Sequence, residues 1–280
     1  MKMNGWVAFA CCCLFQDFSN LGAFSLPVGR SRRDSLDLKL SRNLNKRAAY
    51  DLIGNGTEFN RTFAEYLVNH SRASYCAPTQ LFNWTCPICQ ELQPFQPYYV
   101  NDEDEKKISK HVGVYVGYSS SEDSVVIAFR GSDFLINFIQ DMEYYKIDAD
   151  YSACGNVSLD SAHDALDEDL SGDGKKKACR VHSGFYDDWM HVKPSVVNAT
   201  LQALADHPGA RVWVTGHSLG GAIACLGAVE LAVLLQRRDV GLLTFGEPRV
   251  GNVFFAAFVR AWVPAAVRVV HQDDAVPHLP

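Results

Sequence analysis

Gly216-His217-Ser218-Leu219-Gly220 constrains this chain more than any other stretch. A serine with a glycine two residues away on either side can sit on a tight strand-to-helix turn, because neither glycine carries a Cβ to collide with the doubled-back backbone. In a chain with 20 glycines the pentapeptide alone is a weak signal. Its neighbours make it strong. Arg211-Val-Trp-Val-Thr215 before it has the β-branched and aromatic content of a buried strand. Gly221-Ala-Ile-Ala-Cys-Leu-Gly-Ala-Val-Glu-Leu-Ala-Val-Leu-Leu235 after it is apolar and largely helix-forming. Strand, sharp turn, helix is the context that holds a nucleophilic serine at the end of a sheet.

A serine hydroxyl attacks only when a base takes its proton, so a histidine, an orienting carboxylate and donors for an oxyanion are the next things to find. In folds built on such an elbow the order is Ser, then Asp or Glu, then His. Ala266 to Val270 reads as a strand, and Asp273 and Asp274 lie just past its end, where such sites are built. Either could orient an imidazole, and the other fits a solvated turn before Pro277. Upstream, Val125 to Phe129 reads as a buried strand ending in Arg130-Gly131-Ser132. Amides there, with the hydroxyl of Ser132 beside them, can face a developing oxyanion, and the amide of Leu219 is the second donor. One such donor is typically worth about 3–4 kcal/mol in the transition state. Without Ser218, Arg-Gly-Ser would read as a plain turn.

These stretches belong to a longer ordered set: Ala73-Ser-Tyr-Cys76, Phe129-Arg-Gly-Ser132, Val181-His-Ser-Gly-Phe185, Thr215-Gly-His-Ser-Leu-Gly-Gly221, Phe245-Gly-Glu-Pro-Arg-Val-Gly-Asn252 and Asp274-Ala-Val-Pro-His-Leu-Pro280. With them the chain resembles the class 3 (fungal-type) lipases over roughly Asn60 to Pro280. The resemblance implies an α/β-hydrolase fold, a central, mostly parallel sheet flanked by helices. It implies ester hydrolysis through an acyl-enzyme, on triacylglycerol-like substrates. Ser218 is then the nucleophile, Asp274 of the D-x-V-P motif the acid, and Ser132 and Leu219 the oxyanion donors.

One departure matters. The family's catalytic histidine follows the acid by several dozen residues, whereas here only His278 follows Asp274, four residues along the same loop. It would have to reach Asp274 and Ser218 together, which that spacing opposes. His217, His271 and His182 read as structural. Loss of a triad histidine costs on the order of 10⁶ in turnover. These 280 residues alone are therefore expected to be nearly inactive, with a C-terminal segment carrying the base expected beyond them. In the resembling lipases the cysteine at position 76 pairs with one near the C-terminus, and no such late cysteine is present.

Asp133 to Met142 follows the oxyanion residue directly. Phe134, Leu135, Phe138, Ile139 and Met142 share one helical face. The family reading is a lid that opens at a lipid–water interface; the pattern alone equally fits a helix packed on the core.

The beginning of the chain reads as processing signals. Trp6 to Phe15 is an apolar run too short to span a bilayer, so residues 1–23 are expected to be a signal peptide. Residues 24–48, with the basic Arg30-Ser-Arg-Arg33 and Lys46-Arg47, read as a pro-segment or linker, and 49–280 as one domain. Six N-x-S/T sites, at Asn55, Asn60, Asn69, Asn83, Asn156 and Asn198, favour a glycosylated, secreted protein. Cys11, Cys12 and Cys13 would leave with the signal peptide. In an oxidising compartment Cys86 and Cys89 suit a local disulfide, and Cys154 and Cys179 can staple the Asp- and Gly-rich loop between them. A lone C-x-x-C without a second pair does not suggest zinc. Cys225 reads as a buried thiol. No metal or organic cofactor is expected.

A formal net charge of −6 without a clustered basic face gives no support for nucleic acid or anionic membranes as partners. No transmembrane segment is read, and a monomer is expected. Thr62 to Ser74 places Phe63, Tyr66, Leu67 and His70 at helical spacing. Val112, Val114 and Val116 alternate with Gly113, Tyr115 and Gly117, and the strand turns through Ser119 to Ser124 into Val125 to Phe129. From Phe185 onward helical and strand patterns alternate. Two other functions fit the same pocket: a non-catalytic binding protein that has lost its base, and an esterase for aryl or cell-wall esters.

Overall fold

Strand periodicity decides how the layers stack. In a computed structural model, residues 59–101, 112–132, 146–149, 154 and 178–278 are described. The signal and pro-segments, the lid segment from Asp133 to Met142, Asn55 and Asn156 lie outside them. Strand β2 (Val114–Ser119) runs antiparallel to both its neighbours, β1 (Phe95–Val100) and β3 (Ser124–Phe129), and Val116 faces Ile127 across the hairpin. From β3 the sheet continues in parallel through β6 (Arg211–His217), β7 (Val240–Phe245) and β8 (Ala265–Val269), in the order β1-β2-β3-β6-β7-β8. A small antiparallel pair, β4 (Lys146–Asp148) and β5 (Arg180–His182), stands apart.

Both faces of the sheet are covered, and the two-residue period of a strand assigns each side chain to a face. Val125, Ile127, Phe129, Val212, Val214, Val240 and Leu242 point into one core. Against them pack helices α4 (Ser183–Asp206), α5 (Leu219–Leu234) and α6 (Val253–Trp262). Val126, Trp213, Leu243 and Phe245 point the other way, onto Phe63, Ala64, Leu67 and Val68 of α1 (Arg61–Ala73). A third cluster gathers Leu81, Trp84, Ile88 and Leu92 from the region of the short helices α2 (Pro78–Phe82) and α3 (Pro87–Glu91) around Tyr115 and Ala128.

Caps fix where the helices begin. Asn60 accepts the amide of Phe63 at the start of α1, and the Nδ1 of His182 accepts those of Gly184 and Phe185 at the start of α4. Asn252 caps α6 through Phe255 and also holds the Arg180 amide and the Ala178 carbonyl, tying β5 to that helix. Both local disulfides form. Cys86–Cys89 joins the N-cap of α3 to the third residue of that helix, and Cys154–Cys179 joins residues 25 apart in sequence. Cys225 is a buried thiol on α5. Among the described residues no helix is long and apolar enough to cross a membrane.

Candidate active site

The carboxyl ends of β3, β6, β7 and β8 converge on Ser218. It follows β6 directly and begins α5, at φ 55° and ψ −125°, a conformation that side-chain-bearing residues rarely adopt. Two close approaches make the turn possible. A Cβ at Gly216 would lie 2.3 Å from the carbonyl oxygen of Gly220, and one at Gly220 would lie 2.4 Å from that of Phe129. The Ser218 amide donates to Phe245 O at 2.9 Å, which stitches the elbow to the end of β7. Ser218 is 1% exposed, and its Oγ has no hydrogen-bond partner among the described residues.

Leu219 is the first residue of α5, so its amide belongs to the turn whose N–H groups have no partner inside the helix and where the helix dipole is positive. Gly131 and Ser132 follow β3 and meet the elbow from the neighbouring strand. A Cβ at Gly131 would stand 2.5 Å from His217 O. The two regions named as oxyanion donors are therefore brought together.

The acid side separates the two aspartates. Asp273 is exposed, whereas Asp274 is half-buried and its Oδ2 would lie 3.0 Å from a Cβ placed on Gly246. Gly246 itself donates to Val269 O at 2.9 Å, so this carboxylate stands between the ends of β7 and β8. Asp274 Oδ1 accepts the amide of Val276 at 3.0 Å, and the Asp274 amide donates to His271 O. Arg268 on β8 holds the loop from beneath, donating to Glu247 O and, at 3.4 Å, to Pro277 O.

The histidines differ in their surroundings. The Nδ1 of His217 lies 2.9 Å from Tyr75 Oη, and burial holds its pKa down against the opposing pull of the Asp274 charge. His278 is exposed in the 3-10 turn Val276–His278, and His182 is occupied in capping α4. Two groups near the elbow, Glu247 buried and Tyr75 half-buried, drew no role from the sequence. Glu247, buried behind it, has its carboxyl pushed up to about 7 by burial, against Arg268 and the Thr244 hydroxyl, which favour the charged form. Tyr75 connects the oxyanion loop to the elbow; only a match to a family motif had drawn attention to it. Cys76 is half-buried, with its sulfur within 4.8 Å of those of Cys86 and Cys89. The disulfide between the latter two removes them as thiolate ligands.

The model of the family described as Lipase (class 3) matches residues 126–280, from β3 to the D-x-V-P loop. The chain belongs to the class 3 lipase family. Among similar proteins, a secreted mono- and diacylglycerol lipase of Fusarium solani is 34% identical over 172 residues, covering 60% of this chain and 43% of that protein. A lipase of Rhizomucor miehei is 33% identical over 168 residues, covering 59% and 40%. The chain thus spans less than half the length of these relatives. Among solved structures, one titled as a serine protease triad forming the catalytic centre of a triacylglycerol lipase superimposes with a TM-score of 0.62. It is 28% identical, covering 78% of this chain and 74% of that one. Lipase II from Rhizopus niveus gives 0.63 at 26% identity with the same coverage. The α/β-hydrolase architecture follows from these neighbours and from the mostly parallel sheet.

Proposed function

We propose that this chain carries the nucleophile and acid of a secreted carboxylic ester hydrolase acting on acylglycerols. The observation that carries the reading is the positive-φ elbow of Ser218 at the carboxyl end of a parallel sheet, with Asp274 at the ends of the next two strands. In the reaction, Ser218 Oγ attacks the ester carbonyl and its proton passes to an imidazole oriented by Asp274. The amides of Ser132 and Leu219 take the charge of the tetrahedral oxygen. The alcohol departs with the proton from the imidazole. Water then repeats the sequence on the acyl-enzyme and releases the acid. The names of the relatives, secreted mono- and diacylglycerol lipases among them, support both the substrate class and an extracellular location. The sequons of the sequence agree with that location. Segment 133–142 is the lid of this proposal, and the protein acts as a monomer.

No imidazole bonds to Ser218 Oγ among the described residues. In this proposal the base is a histidine outside the described residues, and without it in place the chain turns over esters only slowly. The test is a p-nitrophenyl ester series of short and long acyl chains, with Ser218→Ala as control. A trace rate abolished by Ser218→Ala, favouring long acyl groups, supports the reading. Lipase-like turnover that Ser218→Ala abolishes would place the base within the chain. A preference for short or aryl esters would favour the non-lipid esterase. The same unpartnered Oγ favours a second reading, a non-catalytic binding protein. Equal binding of a fluorescent long-chain fatty acid by wild type and Ser218→Ala, with no labelling of Ser218 by a fluorophosphonate, would put it first.

A further inference from the structure

Tyr75 lies where the loop after β3 meets the elbow, its hydroxyl in contact with both. Its Oη accepts the amide of Gly131 at 3.2 Å and lies 2.9 Å from His217 Nδ1. The Tyr75 and His217 rings are 6.3 Å apart and tilted by 51°, so they meet at the hydroxyl and not face to face. Gly131 is pressed so close that a Cβ there would lie 2.5 Å from Tyr75 Oη as well as from the His217 carbonyl. On the far side of the imidazole, a Cβ at Gly246 would lie 3.8 Å from His217 Nε2 and 3.0 Å from Asp274 Oδ2. Those two atoms flank one small space.

Proton counting orders this chain of contacts. Tyr75 Oη receives the Gly131 N–H and has one proton of its own to give. Giving it to Nδ1 makes that nitrogen an acceptor. A neutral imidazole then carries its only proton on Nε2, on the side of the Asp274 carboxylate, where the negative charge favours it. Burial holds His217 in that neutral form. With the Tyr75 proton given to Nδ1, the N–H and O–H groups of Gly131, Tyr75 and His217 run in one sense, toward the side of Asp274.

We infer that Tyr75 is a positioning residue: its hydroxyl fixes the oxyanion loop through Gly131 and fixes the tautomer of His217, which in turn faces Asp274. It touches no reacting atom. The inference rests on the proposed ester chemistry only for its effect on reaction geometry, and the hydrogen-bond polarity can be tested without it.

The experiment uses the 280-residue chain labelled with ¹⁵N, as wild type and as Tyr75→Phe, which removes the hydroxyl alone. Long-range ¹H–¹⁵N spectra at pH 7 should show wild-type His217 as a single neutral tautomer protonated on Nε2. In Tyr75→Phe the two nitrogens should shift toward averaged values. The Gly131 amide should exchange about ten-fold faster, as expected for one lost hydrogen bond. A short alkylboronic acid, whose tetrahedral adduct on a serine imitates the oxyanion, should bind the variant roughly ten-fold more weakly, under conditions where both proteins are fully folded. Wild-type His217 protonated on Nδ1, or a variant with the same nitrogen shifts and Gly131 exchange, overturns the inference. Equal boronate affinity in the two proteins overturns the positioning role. A boronate that binds neither protein counts against Ser218 as a nucleophile, and the nitrogen shifts still decide the case of Tyr75.

Discussion

Thr244 donates its hydroxyl proton to Glu247 Oε2 at 2.5 Å, one strand-end away from the elbow, in a place where the carboxyl is 4% exposed. Burial raises that carboxyl from its ordinary 4.5 to about 7. The folded state therefore binds a proton that the unfolded chain releases, and the associated stability is full below pH 4.5 and lost as pH rises toward 7.

His70 works in the opposite sense. Tyr115 Oη donates to His70 O at 3.0 Å and so receives its other bond, at 2.7 Å, from His70 Nδ1–H. Burial lowers this ring from 6.5 to about 3, so its stability is full above pH 6.5 and lost as pH falls toward 3. The two slopes oppose each other between pH 4.5 and 6.5. In urea unfolding, the stability of Glu247→Gln minus that of wild type should rise from pH 4.5 to 7, by on the order of 3 kcal/mol. A difference that stays flat across this window would show that Glu247 is ionised throughout.

Backbone strain at Ser218 separates two variants that lack its hydroxyl. Both Ser218→Ala and Ser218→Gly lose the hydroxyl, but only glycine adopts φ 55° and ψ −125° without a Cβ penalty. Ser218→Gly should unfold at higher urea concentration than Ser218→Ala, by about 1 kcal/mol after the extra chain entropy of glycine is counted. Equal stabilities would mean that the elbow is relaxed.

At Gly241 the sheet has no room for a methyl group, because a Cβ there would lie 2.1 Å from the Trp213 ring on the neighbouring strand. Gly241→Ala should cost about 1–3 kcal/mol, as overpacking of a core does. Adding Trp213→Leu should recover part of that cost, which a double-mutant cycle measures directly.

The Cys154–Cys179 bond joins residues 25 apart and should constrain the unfolded chain far more than Cys86–Cys89, whose residues are 3 apart. Replacing Cys154 and Cys179 together by alanine should cost about 3 kcal/mol on the chain-entropy account. The corresponding change at Cys86 and Cys89 should cost clearly less. Unfolding of the two double variants in parallel tests the order.

Much of this was legible in the sequence. Wherever burial is two-sided and continuous, as in Arg211–His217 and Leu219–Leu234, local pattern and tertiary placement agree, and the elbow and its flanking elements follow from composition alone. The helix at Arg61–Ala73 was also evident, with Phe63, Tyr66, Leu67 and His70 at its spacing. That His70 would meet Tyr115, 45 residues on, was not. Phe95–Val100 escaped notice because Pro97 argues against a strand, and it is tolerated here on the sheet edge, beside an irregularity in register. Nothing local separates Asp273 from Asp274; the fold of the loop after β8 exposes one and turns the other inward. Tyr75 is the clearest omission. Its role depends on a hydroxyl meeting residues 56 and 142 positions away, and no periodicity encodes that.

Helix α5 buries 13 of its 16 residues, nearly its whole circumference, while its first turn presents Leu219 to the site. A helix so enclosed has almost no position at which a new side chain is felt by the substrate and not by the core. Divergence among proteins of this architecture is thereby pushed outward. The elbow serine and its supports must be inherited nearly whole, and variation is left to the loops that follow β3 and β8.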